Sequence, residues 1–364
     1  MSAYQITVSR LRRYPVKGLE GHDLDRVEIA AGGGMPFDRR LALLLPPLPD
    51  IETTDRGTLP YFYLSRNPGL ARYRLAWDGG SSFRLTAPDG DSAVFDAARP
   101  EANGAVDEAL KRWFGDRPTG PPVLAPERRD GGYWDFSDTA LSIINLETVR
   151  DISRTAGQFI DPLRFRANLY IDGLPAWREF ALVGRTIVAG STRLEVLRGI
   201  ARCNATSIDP ATNAIDINMP VHLRRTYGHI FCGVYARVAE GGELRPGDRF
   251  EPAPAYAPDP YFRRAATSRP PHEWPRFLKV EDHGANLALV TTLDTWPLIA
   301  PGLNAVINLH GLQAGAPAAR MPLLPESTAA RYLVDPAGLE FAIGSEILVT
   351  GPFPERNLAG MTAL

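Results

Sequence analysis

The sequence predicts a mainly β protein with some α-helix, built from β-barrel-like units rather than from a parallel α/β sheet. Short runs of alternating apolar and polar residues recur along the 364 residues, as half-buried strands require. Many of the 33 glycines and 33 prolines separate these runs as turns. Only a few stretches have helical spacing, so short strands closed into barrels are the favoured architecture.

The first unit predicted from this pattern covers residues 1–125. Residues 103–114 are predicted to form a helix capped by Asn103, because apolar side chains such as Val106 and Leu110 share one helical face. The rest of the unit is predicted to consist of short strands bounded by turn residues. We expect these strands at residues 4–13, 24–30, 41–45, 72–77, 83–87 and 93–96.

The second predicted unit covers residues 130–252 and follows the proline-rich stretch 118–122. Helices are expected at residues 146–154, where Asn145 can cap the first turn, and at residues 219–227. Strands are expected at residues 165–171, 185–189, 193–197 and 232–238.

A third, β-rich segment is predicted at residues 270–364, and its function is left unassigned. Residues 252–275 contain seven prolines and are interpreted as a linker or an extended strap. Strand-like runs follow at residues 287–293, 305–309 and 339–350.

Composition indicates a soluble globular protein. Hydrophobic residues make up 44% of the chain, charged residues make up 23%, and the formal net charge is -2. This balance does not favour nucleic acid or an anionic membrane as a partner. No apolar run is long enough to span a membrane and no signal peptide is evident, so we expect a cytoplasmic protein.

The strongest chemical signal is Cys203, which follows Arg202 just after the predicted strand 193–197. A thiol at a strand end, beside a cation and near the turn at Asp209, can ionise and can be reached. The alternative is a small buried hydrophobic residue, the usual role of a free cysteine. Cys232 lies in an apolar alternating run and is interpreted as structural. These two cysteines are too few for a disulfide framework, and the sequence has no HExxH, GxSxG or P-loop motif.

Short motifs follow one another in a specific order on both sides of Cys203. They are Tyr14–Gly18, Phe37–Arg40, Arg164–Asn168, Pro175–Trp177 with Glu179 and Gly184, Ala201–Cys203, Asp209–Pro210, Tyr227–His229, Gly233–Ala236, Gly241–Leu244 and Pro246–Asp248. This ordered set resembles the MOSC domain family, a molybdenum-cofactor-binding β-barrel named after the C-terminal domain of molybdenum cofactor sulfurase. It is most similar to the branch that contains the mitochondrial amidoxime-reducing component and its bacterial relatives. The similarity covers roughly the first two thirds of the chain.

The resemblance implies a fold and a cofactor site. Residues 1–125 would form an N-terminal β-barrel-like domain, and residues 130–252 would form the MOSC-type β-barrel. Cys203 would be the molybdenum ligand of a pterin cofactor, since a soft thiolate suits that coordination. The other residues expected around the cofactor and its phosphate are Lys17, Arg39, Arg166, Asn168 and Arg202. Asn145 is expected first as a helix cap and second as a cofactor contact, while Asp209 would hold the Cys203 loop or act as a catalytic acid.

The activity that the resemblance implies is a two-electron reduction of small N-hydroxylated compounds, with loss of the oxygen as water. Electrons would come from a separate donor protein, because the chain lacks the four cysteines of an iron–sulfur domain. Two alternatives remain open. One is a carrier or sulfur-transfer module that holds the cofactor or a persulfide on Cys203, and the other is a barrel that has lost its cofactor. Pyridoxal phosphate binding is a further family-level expectation.

The chain departs from the family pattern at three positions, one of which is Asn145, where the family has a serine. Gly18 stands where a small hydroxyl residue often follows the motif lysine, which removes one possible hydrogen bond to the phosphate. Glu179 is followed by Phe180, so one carboxylate of the family's acidic pair is missing. These departures concern the details of the pocket rather than the fold.

Overall fold

The computed structural model describes residues 5–99, 103–129, 131–135, 140–253, 275–291, 305–310, 319–328 and 331–354. The protein is mainly β, with a curled half-barrel sheet, which confirms the predicted fold class. No helix within these residues is long and apolar enough to cross a membrane. The predicted proline-rich strap lies almost entirely outside the described residues.

Short strands dominate the N-terminal part of the chain, as its alternating patterns predict. Its elements are β1 (Thr7–Arg13), β2 (Val16–Lys17), β3 (His22–Leu24), β4 (Val27–Ile29), β5 (Leu41–Leu44), β6 (Arg74–Gly79), β7 (Ser82–Thr86), β8 (Ser92–Asp96), α1 (Gly104–Phe114) and β9 (Val123–Ala125). The strand predicted at residues 24–30 is thus divided between β3 and β4.

The central part carries longer strands and two helices at the predicted places. Its elements are β10 (Leu141–Asn145), α2 (Leu146–Ala156), β11 (Leu169–Asp172), β12 (Thr186–Ala189), β13 (Thr192–Ala201), α3 (Met219–Tyr227), β14 (Phe231–Glu240), β15 (Gly242–Leu244) and β16 (Phe250–Pro252).

The largest sheet has eight strands in the order β16–β12–β13–β14–β10–β11–β1–β3. Its strands are antiparallel except for the parallel pair β10 and β11. Leu11 of β1 lies opposite Leu169 of β11, and both are fully buried in one apolar core. The sheet and its core therefore run across the predicted boundary near residue 125. Two three-stranded sheets, β2–β5–β9 and β6–β7–β8, accompany it in the N-terminal part.

The two predicted helix caps differ in the structure. Asn145 caps α2 as expected, because its side chain accepts a hydrogen bond from the backbone N–H of Glu147. Asn103 occupies the position before α1, but its side chain makes no capping bond. Its amide instead pairs with the backbone of Asp96, accepting from the N–H at 2.8 Å and donating to the carbonyl at 3.2 Å. Asn103 therefore ties α1 to β8.

The strand predicted at residues 165–171 begins later than expected. Residues Pro162–Phe165 form a 3₁₀-helix, and Arg166 follows with a left-handed backbone at φ 53°. Strand β11 starts only at Leu169. The apolar run in this stretch is buried by a tight turn rather than by a sheet, which periodicity alone does not distinguish.

The C-terminal part forms a separate six-stranded sheet in the order β20–β19–β22–β17–β18–β21. Its strands are β17 (Arg276–His283), β18 (Asn286–Thr291), β19 (Ala305–His310), β20 (Ala319–Pro322), β21 (Arg331–Val334) and β22 (Glu346–Pro354). The sheet packs on the central part through Arg178, which pairs with Glu346 at 2.5 Å and lies 4.3 Å from the Phe277 ring. This contact fixes the position of the C-terminal sheet against the main core.

Two buried histidines meet at this contact. The rings of His229 and His310 lie 5.4 Å apart. The Nδ1 atom of His229 accepts a hydrogen bond from Phe231, and Nε2 of His310 lies 2.9 Å from the Thr350 hydroxyl. Burial lowers the pKa of His310 to about 4, and burial together with the charge of His310 lowers the pKa of His229. Both rings are therefore neutral at pH 7.

We expect the free energy of unfolding to decrease as the pH falls from about 6.5 towards about 4. In this window the histidines are protonated in the unfolded chain but stay neutral in the folded protein. Each of the two buried histidines therefore contributes a slope of about 1.4 kcal/mol of unfolding free energy per pH unit. Urea denaturation at successive pH values measures this slope. His310→Gln should reduce it, and the exposed His283→Gln should leave it unchanged. A wild-type slope equal to that of His310→Gln would contradict the prediction.

Candidate functional site

A cavity of about 280 Å³ lies where the first motif, the turn before β11 and the end of β13 meet. Six of the eight predicted site residues line it: Lys17, Arg39, Arg166, Asn168, Arg202 and Cys203. These residues are far apart in the sequence, and the sheet order brings them together because β1, β10, β14 and β13 are near neighbours. Asn145 and Asp209 do not line the cavity.

Cys203 lies directly after β13 and before a 3₁₀-helix at Asn204–Ser207. Its carbonyl accepts hydrogen bonds from the backbone N–H of Thr206 at 3.1 Å and from the Thr206 hydroxyl at 2.8 Å. The residue is exposed and makes no disulfide. The backbone is thus fixed while the thiol stays accessible from the cavity.

Arg202 is buried beside this thiol and is held by carbonyl groups. Its Nε and Nη2 donate to the carbonyl of Cys232, and its Nη1 donates to the carbonyl of Phe165 at 3.0 Å. Among the described residues it forms no ion pair, so its positive charge is not neutralised by a carboxylate. Cys232 lies in the core, where burial raises the pKa of its thiol to about 12. Its position agrees with the structural role predicted for it.

Lys17 reaches the cavity from β2. Its Nζ donates to the carbonyl of Tyr133 at 2.9 Å and to Oδ1 of Asp135 at 2.5 Å. The ammonium also lies 4.8 Å from the centre of the Tyr61 ring. These contacts fix the direction of the only lysine that lines the cavity among the described residues.

Arg39 and Arg166 both lie near the buried Tyr14 ring, with their guanidinium carbons 5.0 and 4.4 Å from its centre. Arg39 donates to the carboxylate of Asp38 and to the carbonyl of Arg166. Arg166 donates to the carbonyl of Leu19 at 2.6 Å. Burial lowers the pKa of Arg166. Burial also acts to lower the pKa of Arg39, but the charge of Asp38 together with smaller contributions from Asp135, Tyr235 and Tyr14 outweighs it and raises that pKa.

Asn168 lines the cavity, but its side chain is engaged by the protein. Its Oδ1 accepts hydrogen bonds from the backbone and the hydroxyl of Ser142, and its Nδ2 donates to the carbonyl of Arg12 at 3.3 Å. The amide thus links β1, β10 and β11. The structure thus shows Asn168 bonded to the protein, and the cofactor contact that the resemblance implies for it stays a prediction.

Asp209 holds the loop after Cys203, which is the first of its two predicted roles. Its Oδ1 accepts hydrogen bonds from the backbone of Ala211 and Thr212, each at 2.8 Å, and its Oδ2 accepts from Arg164. These bonds outweigh partial burial and lower the pKa of Asp209. The carboxylate therefore lacks both the position and the protonation state of a general acid.

Arg164 is a residue of the site that the sequence did not reveal. Its side chain is completely buried. The guanidinium donates to both carboxylate oxygens of Asp216, at 2.7 and 2.6 Å, to Asp209 and to the carbonyl of Ser207. Arg164 therefore fastens the Cys203 loop to the turn that carries Arg166.

Seven cationic side chains line the cavity among the described residues, against one acidic side chain, Asp135. The cations are Lys17, Arg39, Arg56, Arg164, Arg166, Arg198 and Arg202. Such an excess of positive charge around an exposed thiol suits an anionic ligand. No group of three or more His, Cys, Asp or Glu side chains among the described residues could hold a metal ion by itself.

Residues 112–251, which include Cys203 and most of the cavity walls, match the family profile of the MOSC domain. The chain contains a MOSC domain. This family is associated with the C-terminal domain of molybdenum-cofactor sulfurase and with molybdenum-cofactor binding. The comparison with curated proteins gives no significant match.

Three solved structures are similar to parts of the chain. The YuaD protein from Bacillus subtilis is 14% identical, with a TM-score of 0.33, and the match covers 70% of this chain and all of that one. YiiM from Geobacillus stearothermophilus is 20% identical, with a TM-score of 0.26, over 31% of this chain and 54% of that one. YiiM from Escherichia coli is 19% identical, with a TM-score of 0.25, over 35% and 60% of the two chains.

The backbone conformation at Gly18 explains why this position departs from the MOSC family pattern. Its backbone has φ 87°, and a Cβ atom would lie 3.2 Å from the backbone nitrogen of Leu64. A hydroxyl residue would therefore be strained at this position. At another departure, Glu179 is fully buried and accepts hydrogen bonds from Asn145 and Thr148. Phe180, which follows it in place of a carboxylate, is buried in the main apolar core.

Arg56, Arg198 and Tyr235 also line the MOSC cavity and were not predicted. Arg198 had a signal in the sequence, since it precedes Ile200 and Arg202 at the two-residue spacing of one strand face. The predicted strand ended at Leu197, whereas β13 continues to Ala201. Arg56 had no such signal, because it reaches the cavity from the short 3₁₀-helix Arg56–Thr58.

We expect Gly233→Ala to lower the free energy of unfolding by about 3 kcal/mol. Gly233 has φ 76°, and a Cβ atom would collide with the carbonyl of Ile143 and lie 3.1 Å from Nη2 of Arg202. Gly157→Ala is the control, since Gly157 has φ 68° with nothing within 4 Å, and it should cost about 1 kcal/mol. Equal losses for the two variants in urea denaturation would show that crowding around Arg202 is unimportant.

Proposed function

We propose that the protein is a molybdenum-cofactor-binding oxidoreductase that reduces N-hydroxylated compounds. The observation that supports it is the placement of the exposed Cys203 thiol in a cavity walled by cations within a MOSC domain. A pterin dithiolene cofactor is anionic and carries a soft metal, so its two ends need positive charge and a thiolate. The residues present fit both needs.

Each residue has a distinct task in this proposal. Cys203 would ligate the metal, and Lys17, Arg39, Arg166 and Arg202 would surround the anionic end. The carbonyl partners of Arg166 and Arg202 hold the guanidinium planes in fixed directions, which reduces the entropy lost on binding. When bound, the cofactor supplies the two-electron chemistry, and the protein orients it and controls access.

A separate electron-donor protein and a small N-hydroxylated substrate complete the proposed reaction. Cys203 would also serve a carrier or sulfur-transfer module, because an exposed thiol can hold a cofactor or a persulfide without turnover. Molybdenum content and turnover together distinguish the two functions.

Protein purified from a host that makes the cofactor should contain molybdenum in near-stoichiometric amount. Cys203→Ala should lose most of it, because the thiolate is the proposed metal ligand. Cys232→Ala is the matched control and should keep its molybdenum, since Cys232 is buried away from the cavity. Elemental mass spectrometry of the three proteins decides the matter. A wild type without molybdenum would overturn the proposal.

With an artificial electron donor, the molybdenum-loaded protein should reduce an amidoxime to the amidine. Cys203→Ala should not, and the amidine is measured by chromatography. Full molybdenum content without turnover would instead favour the carrier function.

Arg166→Gln should weaken cofactor retention by about tenfold, the order expected for one hydrogen bond to a charged group. Arg40→Gln should retain the cofactor like the wild type. Arg40 does not line the cavity and pairs with Glu127 at 3.2 Å. Dialysis followed by molybdenum analysis measures retention, and a thermal melt confirms that both variants are folded. Equal retention in the two variants would remove Arg166 from the site.

A further inference from the structure

Asp135 occupies an unusual position in the cavity. It is the one acidic side chain that lines it among the described residues, and 68% of its side chain is exposed. Its Oδ1 accepts a hydrogen bond from Nζ of Lys17 at 2.5 Å. Burial alone would raise the pKa of Asp135, but Lys17, Arg39 and Arg166 together lower it. A carboxylate of the protein therefore occupies the place where Lys17 would meet a bound anion.

Asp38, the other carboxylate among these cations, is held quite differently. It is 1% exposed, accepts a hydrogen bond from the backbone of Tyr14 at 2.7 Å and pairs with Arg39. Removing Asp38 would leave a buried arginine without its partner, which is costly. Asp135 is hydrogen-bonded to Lys17 alone among the described residues and faces water. Only the carboxylate of this pair faces water, since the Lys17 side chain is 13% exposed, so an anion that replaces Asp135 pairs with an ammonium held in place by the protein.

We propose that Asp135 is an internal competitor for the anionic group of the ligand. In the absence of ligand, its carboxylate keeps the Lys17 ammonium oriented towards the cavity. A more strongly attracted anion then displaces the carboxylate from Lys17. A monoanion has the same charge as Asp135 and gains little by replacing it, whereas a dianion such as a phosphate monoester gains more. Asp135 thereby lowers the affinity of the cavity for every anion, so that only a strongly attracted anion such as a phosphate dianion displaces it. The inference rests on the proposed function only for the identity of the ligand.

Inorganic phosphate above neutral pH is the probe, and calorimetry on the full chain is the measurement. Asp135→Asn should bind phosphate about tenfold more tightly than the wild type, because the competing charge is gone. Its affinity for acetate should rise by about the same factor, because neither anion then has to displace the carboxylate from Lys17. Asp78→Asn is the matched control and should behave as wild type, because Asp78 pairs with Arg84 at 2.9 Å and does not line the cavity.

A double-mutant cycle with Lys17→Met tests the competition directly. Asp135→Asn should tighten phosphate binding in the wild-type background and have no effect in the Lys17→Met background. Phosphate binding that is unchanged or weaker in Asp135→Asn would overturn the inference, as would tightening that persists without Lys17. If Asp135→Asn binds phosphate more tightly but the wild type never contains molybdenum, the proposed function is overturned and the role of Asp135 as a competitor is supported. Full molybdenum content without tightening would overturn the competitor alone.

Discussion

The candidate site depends on one buried cation, Arg164. Removing a guanidinium from water costs several kcal/mol, and at the completely buried Arg164 that cost is offset by carboxylates in good geometry. Asp216 meets it with two hydrogen bonds and Asp209 with a third. These partners lie just beyond Cys203, and Arg164 lies in the turn before Arg166. The ion pairs of the buried Arg164 therefore bring the Cys203 thiol and the Arg166 guanidinium to the same cavity.

A second constraint is the strained backbone conformation of two arginines at the cavity. Arg39 and Arg166 both have left-handed backbones, at φ 50° and 53°. This conformation costs roughly 1–2 kcal/mol for a residue with a Cβ atom. Hydrogen bonds offset the cost, since the backbone N–H and carbonyl of Arg39 bond to Tyr14 and Tyr133, at 2.6 and 2.7 Å, and its side chain reaches Arg166. Both guanidiniums consequently converge on Tyr14, although the chain approaches it from two distant segments.

The sequence could predict which residue types lie at the site better than it could predict where their side chains point. Ordered motifs named Lys17, Arg166 and Cys203 correctly as neighbours, because each motif lies at the end of a strand that the fold brings together. Asp209 and Arg164 were harder, since side chains that satisfy buried groups look the same in a sequence as side chains that face a ligand. Their direction is set by tertiary packing.

Tertiary packing also limits what the sequence can predict about the fold. The local periodicity that predicts most strands contains no information on their partners. The pairing of β1 with β11 across residue 125 was therefore not foreseen. The burial of Phe165 in a turn instead of a strand has the same origin, because an apolar run is compatible with either structure.

The cavity holds several of its cations with carbonyl groups rather than carboxylates. Arg202 bonds to the carbonyls of Cys232 and Phe165, and Arg166 bonds to the carbonyl of Leu19. Carbonyls fix direction without cancelling charge, so the desolvation of these arginines is only partly compensated. The lowered pKa of Arg166 is one expression of that unrelieved cost. A bound anion would relieve it and stabilise the folded chain by mass action. The same electrostatic arrangement explains why Asp135 pairs with Lys17, and under the proposal it would favour a ligand that carries more charge than a carboxylate.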